Sequence, residues 1–194
     1  MGNKPVAVDL CAGTGGWATG LKIAGWHVIG IDVENHGYEG DELVLQDVRT
    51  MSGVPMRERV SLIVASPPCQ AYSYMAMPWK RAKAMAAEYR AHPERIPELN
   101  SIFHACERIA REAGCSIVIE NVKGAQPWVG RAKAHFGSFY LWGSLESIGS
   151  RIVVGNVDMG MPTLRCPSGL ERRTMVVHGL PSTPPIPLPA RRRR

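Results

Sequence analysis

The stretch VAVDLCAGTGG, at residues 6–16, combines a short apolar run, an acidic residue and a cluster of glycines. The run VAVDL has the length and the branched side chains of a buried strand. Because glycine adopts backbone conformations that other residues avoid, CAGTGG allows a tight turn and a close approach to the backbone. We therefore predict a strand, a glycine loop and then a helix over residues 17–24.

The same alternation of apolar runs and helical patterns continues along the chain. VIGIDV, LVL, SLIVA and SIVI are further short apolar runs, and helical segments lie between them. Strands that alternate with helices form a parallel sheet of the doubly wound type. We predict an α/β fold with a mostly parallel, Rossmann-like sheet, with strands at residues 6–10, 28–33, 43–45, 61–65 and 116–119 and helices at residues 17–24, 78–91 and 97–113. A further strand is a candidate at residues 151–157.

Composition limits the kind of protein this chain can be. The 194 residues are 45% hydrophobic and 21% charged, which is typical of a globular domain. No apolar run approaches the roughly 20 residues of a membrane helix, and the N-terminus lacks a signal-peptide pattern. The cysteines are odd in number and form no CxxC pair, which argues against a disulfide framework or a zinc site. We expect a cytoplasmic protein without a metal ion, whose cysteines are Cys11, Cys69, Cys106, Cys115 and Cys166.

Positive charge is concentrated in two places. The net charge is +6, and the final RRRR supplies four of these charges. A second cluster consists of Lys80, Arg81 and Lys83. These groups are either a solvated helix face and a disordered tail, or contacts to the phosphates of a nucleic acid.

Several residues suited to binding or catalysis fall at or just beyond the ends of predicted strands. In doubly wound sheets, ligands bind outside the carboxyl ends of the strands. This shared placement predicts a single site, which contains Asp9, Asp32, Asp47, Cys69 and Glu120. The carboxylate at position 32 follows the glycine loop by about 20 residues, where it can accept hydrogen bonds from ribose hydroxyls. The carboxylate at position 47 could receive the amino group of an adenine ring, and for both residues a plain surface turn is the alternative.

Cys69 follows two prolines in the segment SPPCQAYSYM. Proline fixes φ and lacks a backbone donor, so the pair ends the preceding strand and stiffens the turn. Most free cysteines are small core residues. Here the rigid turn favours an exposed nucleophile, and we predict that a following helix N-terminus lowers the pKa of the thiol.

Glu120 ends an apolar strand, where an unpaired carboxylate would be costly. It is either satisfied by hydrogen bonds or lies in a cleft with a raised pKa, ready to donate a proton. Asn121 beside it could orient either partner. Together with Cys69, Glu120 would provide a nucleophile and an acid on adjacent strands.

Three segments in this order, DLCAGTGG, SPPCQAYS and IENV, resemble the DNA cytosine-5-methyltransferases. The resemblance covers residues 6–122 and extends less closely to residue 142. The segments AMPWKRAK and KGAQPWVGRAKAHFGSFYLWG are most similar to the small members of this family that bacteriophages encode. The resemblance implies a methyltransferase fold of the type that binds S-adenosyl-L-methionine.

The resemblance also implies a mechanism and a set of contacts. Cys69 would attack carbon 6 of a cytosine flipped out of DNA, Glu120 would protonate or hydrogen-bond ring nitrogen 3, and carbon 5 would receive the methyl group of S-adenosyl-L-methionine. The implied catalytic set is completed by Asn121 and Arg131. The implied cofactor contacts are Asp9, Leu10, Cys11, Ala12, Gly13, Thr14, Gly15, Gly16, Asp32, Val33, Asp47, Val48 and Pro67. The implied DNA contacts are Pro68, Gln70, Ser73, Lys80 and Arg81.

The chain departs from the family pattern in its second half. The arginine-containing segment expected after ENV is represented only by Arg131 and Lys133, and about 50 residues follow Trp142, fewer than a usual target-recognition region. We expect a catalytic domain at residues 1–142, a reduced recognition region at 143–180 and a disordered basic tail at 181–194. We expect a monomer that acts on DNA. The alternatives are the same chemistry on RNA or a free nucleotide, and a cofactor- and DNA-binding remnant without turnover.

Overall fold

The computed structural model describes residues 4–70, 72, 79–145, 152–153 and 176–177. Seven strands form the main sheet, namely β1 Val6–Leu10, β2 His27–Asp32, β3 Glu42–Leu45, β4 Leu62–Ala65, β5 Ser116–Asn121, β6 Ala134–Phe136 and β7 Phe139–Gly143. The helices of the described chain are α1 Gly16–Ile23, α2 Trp79–Ala91, α3 Ile96–Leu99, α4 Ser101–Ala113 and α5 Gln126–Val129.

The order of the strands in the main sheet is β3-β2-β1-β4-β5-β7-β6. The first five strands run parallel to one another. Strand β7 runs antiparallel to both β5 and β6. The predicted fold, an α/β fold with a mostly parallel doubly wound sheet, is therefore confirmed.

Two apolar clusters cover the two faces of the sheet. Alternate residues of the strands point to opposite faces, as in LIVA of β4, where all four side chains are buried. Helix α1 covers one face with Trp17, Ala18 and Leu21. Helix α4 covers the other face with Phe103 and Ile109, which recur at the spacing of an amphipathic helix. Burial of both faces explains why the strands read as continuous apolar runs.

The structure differs from the sequence prediction in the length and number of elements. The helix predicted at residues 97–113 is interrupted at Asn100, which separates α3 from α4. The buried side chain of Asn100 donates from Nδ2 to the Trp128 carbonyl at 2.8 Å. The β6–β7 hairpin was not predicted, because its short strands carry no clear alternation of apolar and polar residues.

The second half of the predicted domain division falls largely outside the described residues. Of the range 143–180 the structure describes residues 143–145, 152–153 and 176–177, and the range 181–194, including the RRRR tail, lies outside the described residues. Of the candidate strand at residues 151–157, the structure describes β8 Ile152–Val153, which pairs antiparallel with β9 Val176–Val177. In the described part of the chain, no helix has the length and apolar character needed to cross a membrane.

Candidate active site

The carboxyl edge of the sheet brings three loops together. The glycine loop follows β1, the turn with Cys69 follows β4, and Glu120 lies at the end of β5. Strand β4 pairs with β1 on one side and with β5 on the other. After β1 the chain continues to β2 on one side of this pair, and after β4 it continues to β5 on the other side. Doubly wound sheets bind ligands at the point where the chain diverges in this way.

The glycine loop is held to the end of β2 by a carboxylate. Asp32 accepts a hydrogen bond from the Gly13 amide at 2.8 Å through Oδ2 and one from the Val33 amide at 2.7 Å through Oδ1. Gly15, the N-cap residue of α1, has φ of 91°, a left-handed conformation that favours glycine. Cys11 has φ of 56°, which is uncommon for a residue with a side chain. The loop is thus shaped by its backbone and anchored by Asp32.

Exposed apolar side chains border Asp32 on the same edge. Val33 is 63% exposed and Leu45, which pairs with Asp32 in the sheet register, is 60% exposed. Nearby, Asp47 caps a 3₁₀ turn over Val48–Thr50, and its hydrogen bonds from Arg49 lower the pKa of its carboxyl. Apolar surface beside carboxylates fits the flat ring and the ribose of an adenosine group, so these residues fit the cofactor that the sequence implied.

Asp9 is fully buried next to Tyr38. Burial and the neighbouring Asp32 carboxylate raise the pKa of Asp9 well above its usual range, and the Ala18 amide, which does not reach hydrogen-bonding geometry with either carboxylate oxygen, offsets this only in part. Among the described residues, no group hydrogen-bonds to the carboxylate oxygens of Asp9 or to the Tyr38 hydroxyl. The Tyr38 ring lies over Gly30, where a Cβ would approach the ring to 2.5 Å. Asp9 therefore holds its proton more tightly than an exposed aspartate does.

The turn that carries Cys69 is held from two sides. Asn121, buried at the end of β5, donates from Nδ2 to the Pro67 carbonyl at 2.9 Å. On the other side, the Tyr72 amide donates to the Cys69 carbonyl at 2.9 Å. The Tyr72 hydroxyl contacts Asn100 Oδ1 at 3.0 Å, and burial followed by the effect of Tyr89 raises the pKa of Tyr72 to about 12. Pro67 is buried and Pro68 is exposed, so the turn has one face in the protein and one in solvent.

The environment of Cys69 differs from the predicted one. Burial, followed by the charge of Glu120, raises the pKa of the half-buried thiol. The prediction that a following helix N-terminus lowers this pKa is wrong, since α2 begins only at Trp79. The raised pKa keeps the thiol protonated at neutral pH, and a nucleophilic role requires that its proton be removed when a substrate binds.

Glu120 is mostly buried, and burial raises the pKa of its carboxyl. A hydrogen bond from Ser66 Oγ to Oε2 at 3.2 Å lowers the pKa in part. The two alternatives from the sequence therefore both hold in part, because the carboxyl has a structural partner and still has a raised pKa. Cys69 on the turn after β4 and Glu120 on β5 thus lie at the carboxyl ends of adjacent strands, and the charge of Glu120 contributes to the raised pKa of the Cys69 thiol.

Other predicted site residues lie further out. Arg131 is exposed and precedes β6, which is separated from β5 by β7. Gln70, Lys80 and Arg81 are exposed, the latter two in the first turn of α2. Ser73 lies outside the described residues. The roles of all of these residues stay predictions.

Three residues of this edge were missed in the sequence. Ser66 is hydrogen-bonded to Trp17 and also to Glu120. Ser66 had the same signal as the predicted residues, since it directly follows an apolar strand. Tyr38 had no signal, because its contact with the sheet depends on the path of the loop after β2.

In the part of the chain that the structure describes, no three His, Cys, Asp or Glu residues are grouped so that they could hold a metal ion.

Comparison with known proteins gives one family and several similar structures. The sequence profile of a family described as "C-5 cytosine-specific DNA methylase" matches residues 6–127. No curated protein sequence matches the chain.

Three solved structures that resemble the chain are considerably longer. Dnmt2 methyltransferase from S. pombe has a TM-score of 0.39 and 19% identity, with 63% of this chain and 35% of that chain covered. The methyltransferase EhMeth from Entamoeba histolytica has a TM-score of 0.43 and 17% identity, with 66% and 41% covered. A DNMT2 mutant from Spodoptera frugiperda has a TM-score of 0.37 and 17% identity, with 65% and 38% covered. The chain thus spans roughly two fifths of the length of these structures.

Proposed function

The chain belongs to the C-5 cytosine-specific DNA methylase family, and on that premise we propose that it transfers a methyl group from S-adenosyl-L-methionine to carbon 5 of cytosine in DNA. The observation that carries this proposal is the placement of Cys69 and Glu120 at the carboxyl ends of the adjacent strands β4 and β5, beside the glycine loop that follows β1. All three features lie within the residues that the family profile matches.

We propose that the cofactor is held at the ends of β1, β2 and β3. The backbone of residues 9–16 would approach it closely, Asp32 would accept hydrogen bonds from its ribose, and Val33 would contact its adenine ring. Asp47 and Val48 would lie at the edge of that ring, and Pro67 would border the methyl donor. When bound, S-adenosyl-L-methionine would supply the methyl group.

In the proposed reaction, Cys69 acts as the nucleophile. The thiol gives up its proton to solvent water, and Sγ forms a bond to carbon 6 of the cytosine, which shifts the electrons of the carbon 5–carbon 6 double bond onto carbon 5. Carbon 5 can then accept a methyl group. Loss of the proton from carbon 5 and cleavage of the bond to Sγ restore the aromatic ring and release the cysteine.

We propose that Glu120 donates a proton or a hydrogen bond to ring nitrogen 3. The raised pKa of this carboxyl supports the role, because it keeps a larger fraction protonated near neutral pH than an exposed glutamate would have. Asn121 would keep the turn with Cys69 in place through its bond to the Pro67 carbonyl. Arg131 is retained as a base-holding residue only on the strength of the resemblance.

The target cytosine must leave the duplex to reach a thiol that is half-buried in this turn. We propose that Pro68, Gln70 and Ser73 contact the nucleic acid next to the flipped base. Lys80 and Arg81 would contact phosphates. The catalytic unit would comprise residues 1–142, with recognition contributed by residues 143–180 and by the basic tail at 181–194.

A covalent trap tests this proposal. The protein is incubated with duplex DNA that contains 5-fluorocytosine and with S-adenosyl-L-methionine, and denaturing electrophoresis detects any protein–DNA adduct. Fluorine cannot leave carbon 5 as a proton does, so the bond to Cys69 persists. We expect an adduct that Cys69→Ser abolishes and Cys115→Ser retains, since Cys115 is a comparably buried thiol of another part of the fold.

The other outcomes of the trap are equally informative. An adduct on single-stranded RNA but not on DNA would contradict DNA as the substrate. The absence of an adduct on both would contradict turnover and favour a binding remnant. An adduct that survives Cys69→Ser would exclude Cys69 as the nucleophile.

A further inference from the structure

A chain of two hydrogen bonds connects helix α1 to Glu120. The indole Nε1 of Trp17 donates to Ser66 Oγ at 2.9 Å. Ser66 Oγ in turn donates to Glu120 Oε2 at 3.2 Å. The three residues come from three different elements, namely α1, the segment after β4, and β5.

The chemistry of the three groups gives the chain a direction. An indole N–H can only donate, and a serine hydroxyl has one proton and two acceptor positions. Because Ser66 Oγ accepts from Trp17, its own proton is free for the Glu120 carboxylate. The indole bond limits rotation of the hydroxyl, so this proton points at Oε2 rather than at solvent.

The backbone holds the three side chains in register. The Ser66 amide donates to the Leu10 carbonyl at 3.1 Å, which continues the pairing of β4 with β1. Ala65 pairs with Ile119 in the β4–β5 register, so Ser66 and Glu120 are the next positions on adjacent strands. Trp17 is only 6% exposed and packs in the cluster beneath α1. None of the three can move far without disturbing the sheet.

We propose that Ser66 is the positioning residue of Glu120, and that Trp17 sets the orientation of Ser66. This inference rests on the proposed function of Glu120. The Ser66 hydroxyl holds Oε2, which leaves the other carboxyl oxygen, Oε1, to face ring nitrogen 3 of the base. Trp17 directly follows the glycine loop in sequence and so connects the proposed cofactor site with the proposed base site.

Other titratable groups lie near the hydrogen bonds that join Trp17, Ser66 and Glu120. Any test must distinguish their titration from that of Glu120. Cys69 lies near Glu120 on the turn after β4. Asp9 on β1 pairs with Val64 and faces Ala18 of α1, with Tyr38 beside it. A change in the environment of Trp17 with pH could therefore arise from Asp9 as well as from Glu120.

The first experiment needs no enzymatic activity. The indole ¹H–¹⁵N resonance of Trp17, identified by its loss in Trp17→Phe, is followed by NMR across a pH titration of the free protein. We expect a titration step that disappears in Glu120→Gln and in Ser66→Ala and is retained in Ser66→Thr and Asp9→Asn. A titration step of the Trp17 resonance that persists in Ser66→Ala or in Glu120→Gln would overturn the proposed hydrogen-bond chain.

The second experiment measures methyl transfer with the same variants. A hydrogen bond to a charged group contributes about 1.5–3 kcal/mol, so Ser66→Ala should lower kcat about ten- to hundredfold while KM for the nucleic acid changes little. Ser66→Thr keeps the hydroxyl and should restore most of the rate, and Trp17→Phe should show a smaller loss. An unchanged kcat in Ser66→Ala, or an equal loss in Ser66→Thr, would overturn a positioning role.

The two experiments separate this inference from the proposed function. If the wild-type protein transfers no methyl group to any nucleic acid but the Trp17 resonance behaves as expected, the proposed function fails and the hydrogen-bond chain stands. If methyl transfer occurs and the resonance does not follow Glu120, the proposed function stands and the role of Ser66 fails.

Discussion

At the scale of single residues, Cys69 and Glu120 raise a question of charge. The Glu120 carboxylate contributes to the raised pKa of the Cys69 thiol, because a negative charge nearby disfavours a thiolate. When Glu120 donates its proton to the cytosine, it becomes a carboxylate, and this negative charge lies on the strand next to the turn that carries Cys69 Sγ. The arrangement disfavours a free thiolate before substrate binds, which limits unwanted oxidation and alkylation of Cys69.

Replacing Glu120 with glutamine should lower the pKa of Cys69. Glutamine is uncharged, so the electrostatic contribution is lost, while the larger contribution of burial keeps the pKa above its ordinary value. The rate of alkylation of Cys69 by iodoacetamide, measured residue by residue with mass spectrometry, should therefore rise at a lower pH than in the wild type. Cys115 is a matched control, because burial alone raises the pKa of its thiol and no carboxylate contributes. The alkylation profile of Cys115 should therefore be the same in both proteins. An unshifted Cys69 profile would contradict an electrostatic influence of Glu120 on the thiol.

Asp9 should make the stability of the protein depend on pH. Its pKa is raised in the folded state, so the folded state holds the proton more tightly than the unfolded chain does. The free energy of unfolding should fall by up to roughly 1.4 kcal/mol per pH unit as pH rises from about 4, where an unfolded aspartate ionises, to the folded pKa. Asp9→Asn cannot ionise and should remove this loss, as measured by urea unfolding at a series of pH values.

Asp47→Asn provides a control of opposite sign. Arg49 lowers the pKa of Asp47, so its contribution to stability is present above the pKa of the unfolded chain and is lost as pH falls through the folded pKa. The variant should be less stable than the wild type at neutral pH, with a difference that disappears in acid. A slope for Asp9→Asn equal to that of the wild type would show that Asp9 does not titrate in this range.

At the scale of elements, α4 is attached to the segment after β3 by a close approach. Glu112 accepts from the Gly53 amide at 2.8 Å and from Ser52 Oγ at 3.0 Å, and Arg108 donates to the Met51 carbonyl at 2.7 Å. A Cβ at Gly53 would collide with the backbone carbonyl of Ile109. This contact sets the distance between α4 and the 3₁₀ turn that carries Val48.

Alanine at Gly53 should separate these elements. Its φ of −81° suits any residue, so the effect is steric rather than conformational. We expect the free energy of unfolding to fall by about 1–3 kcal/mol, as for other overpacked sites. Gly16→Ala is the matched control, since no atom lies within 4 Å of a Cβ there and it begins α1, and it should raise stability by up to about 1 kcal/mol. Chemical denaturation of both variants measures the difference, and equal stability of the two would refute the contact.

At the scale of the whole molecule, the strand order decides which residues meet. The central strands β1 and β4 are adjacent although β2 and β3 separate them along the chain. Apart from Pro67, which follows β4, the proposed cofactor residues lie on the β1–β3 side, and Cys69 and Glu120 lie on the β4–β5 side. A cofactor bound at the ends of β1–β3 can therefore reach a base held near Cys69 and Glu120 only across the ends of the central strands β1 and β4.

Binding of a cofactor analogue should stabilise the whole fold. A ligand that binds only the folded state raises the free energy of unfolding by about 2.7 kcal/mol at a hundredfold excess over its Kd. S-adenosylhomocysteine should raise the Tm, measured by calorimetry, and Asp32→Ala should reduce that rise relative to the Tm of the free variant. Glu34→Ala, an exposed neighbour, should leave the rise unchanged. A full rise in Asp32→Ala would exclude Asp32 from the binding site.

Sequence patterns identified most of the sheet and several residues of its carboxyl edge. Strand β1 has the bounds that VAVDL predicted, and β4 differs from its prediction by one residue. The β6–β7 hairpin and the break at Asn100 were missed, because both depend on contacts with distant parts of the chain rather than on local periodicity. The charge state predicted for Cys69 was wrong for the same reason.

The sequence alone determined the order of strands and helices along the chain, the rigid turn before Cys69 and the placement of acidic residues at strand ends. These are local properties, since hydrophobic periodicity, proline and glycine act over a few residues. Only the tertiary structure decided that Glu120 lies close enough to Cys69 to raise its pKa, that Asp9 is buried without a hydrogen-bond partner among the described residues, and that Ser66 connects Trp17 to Glu120. The electrostatic effect of one group on another depends on distance and burial, and neither exists until the sheet has brought its strands together.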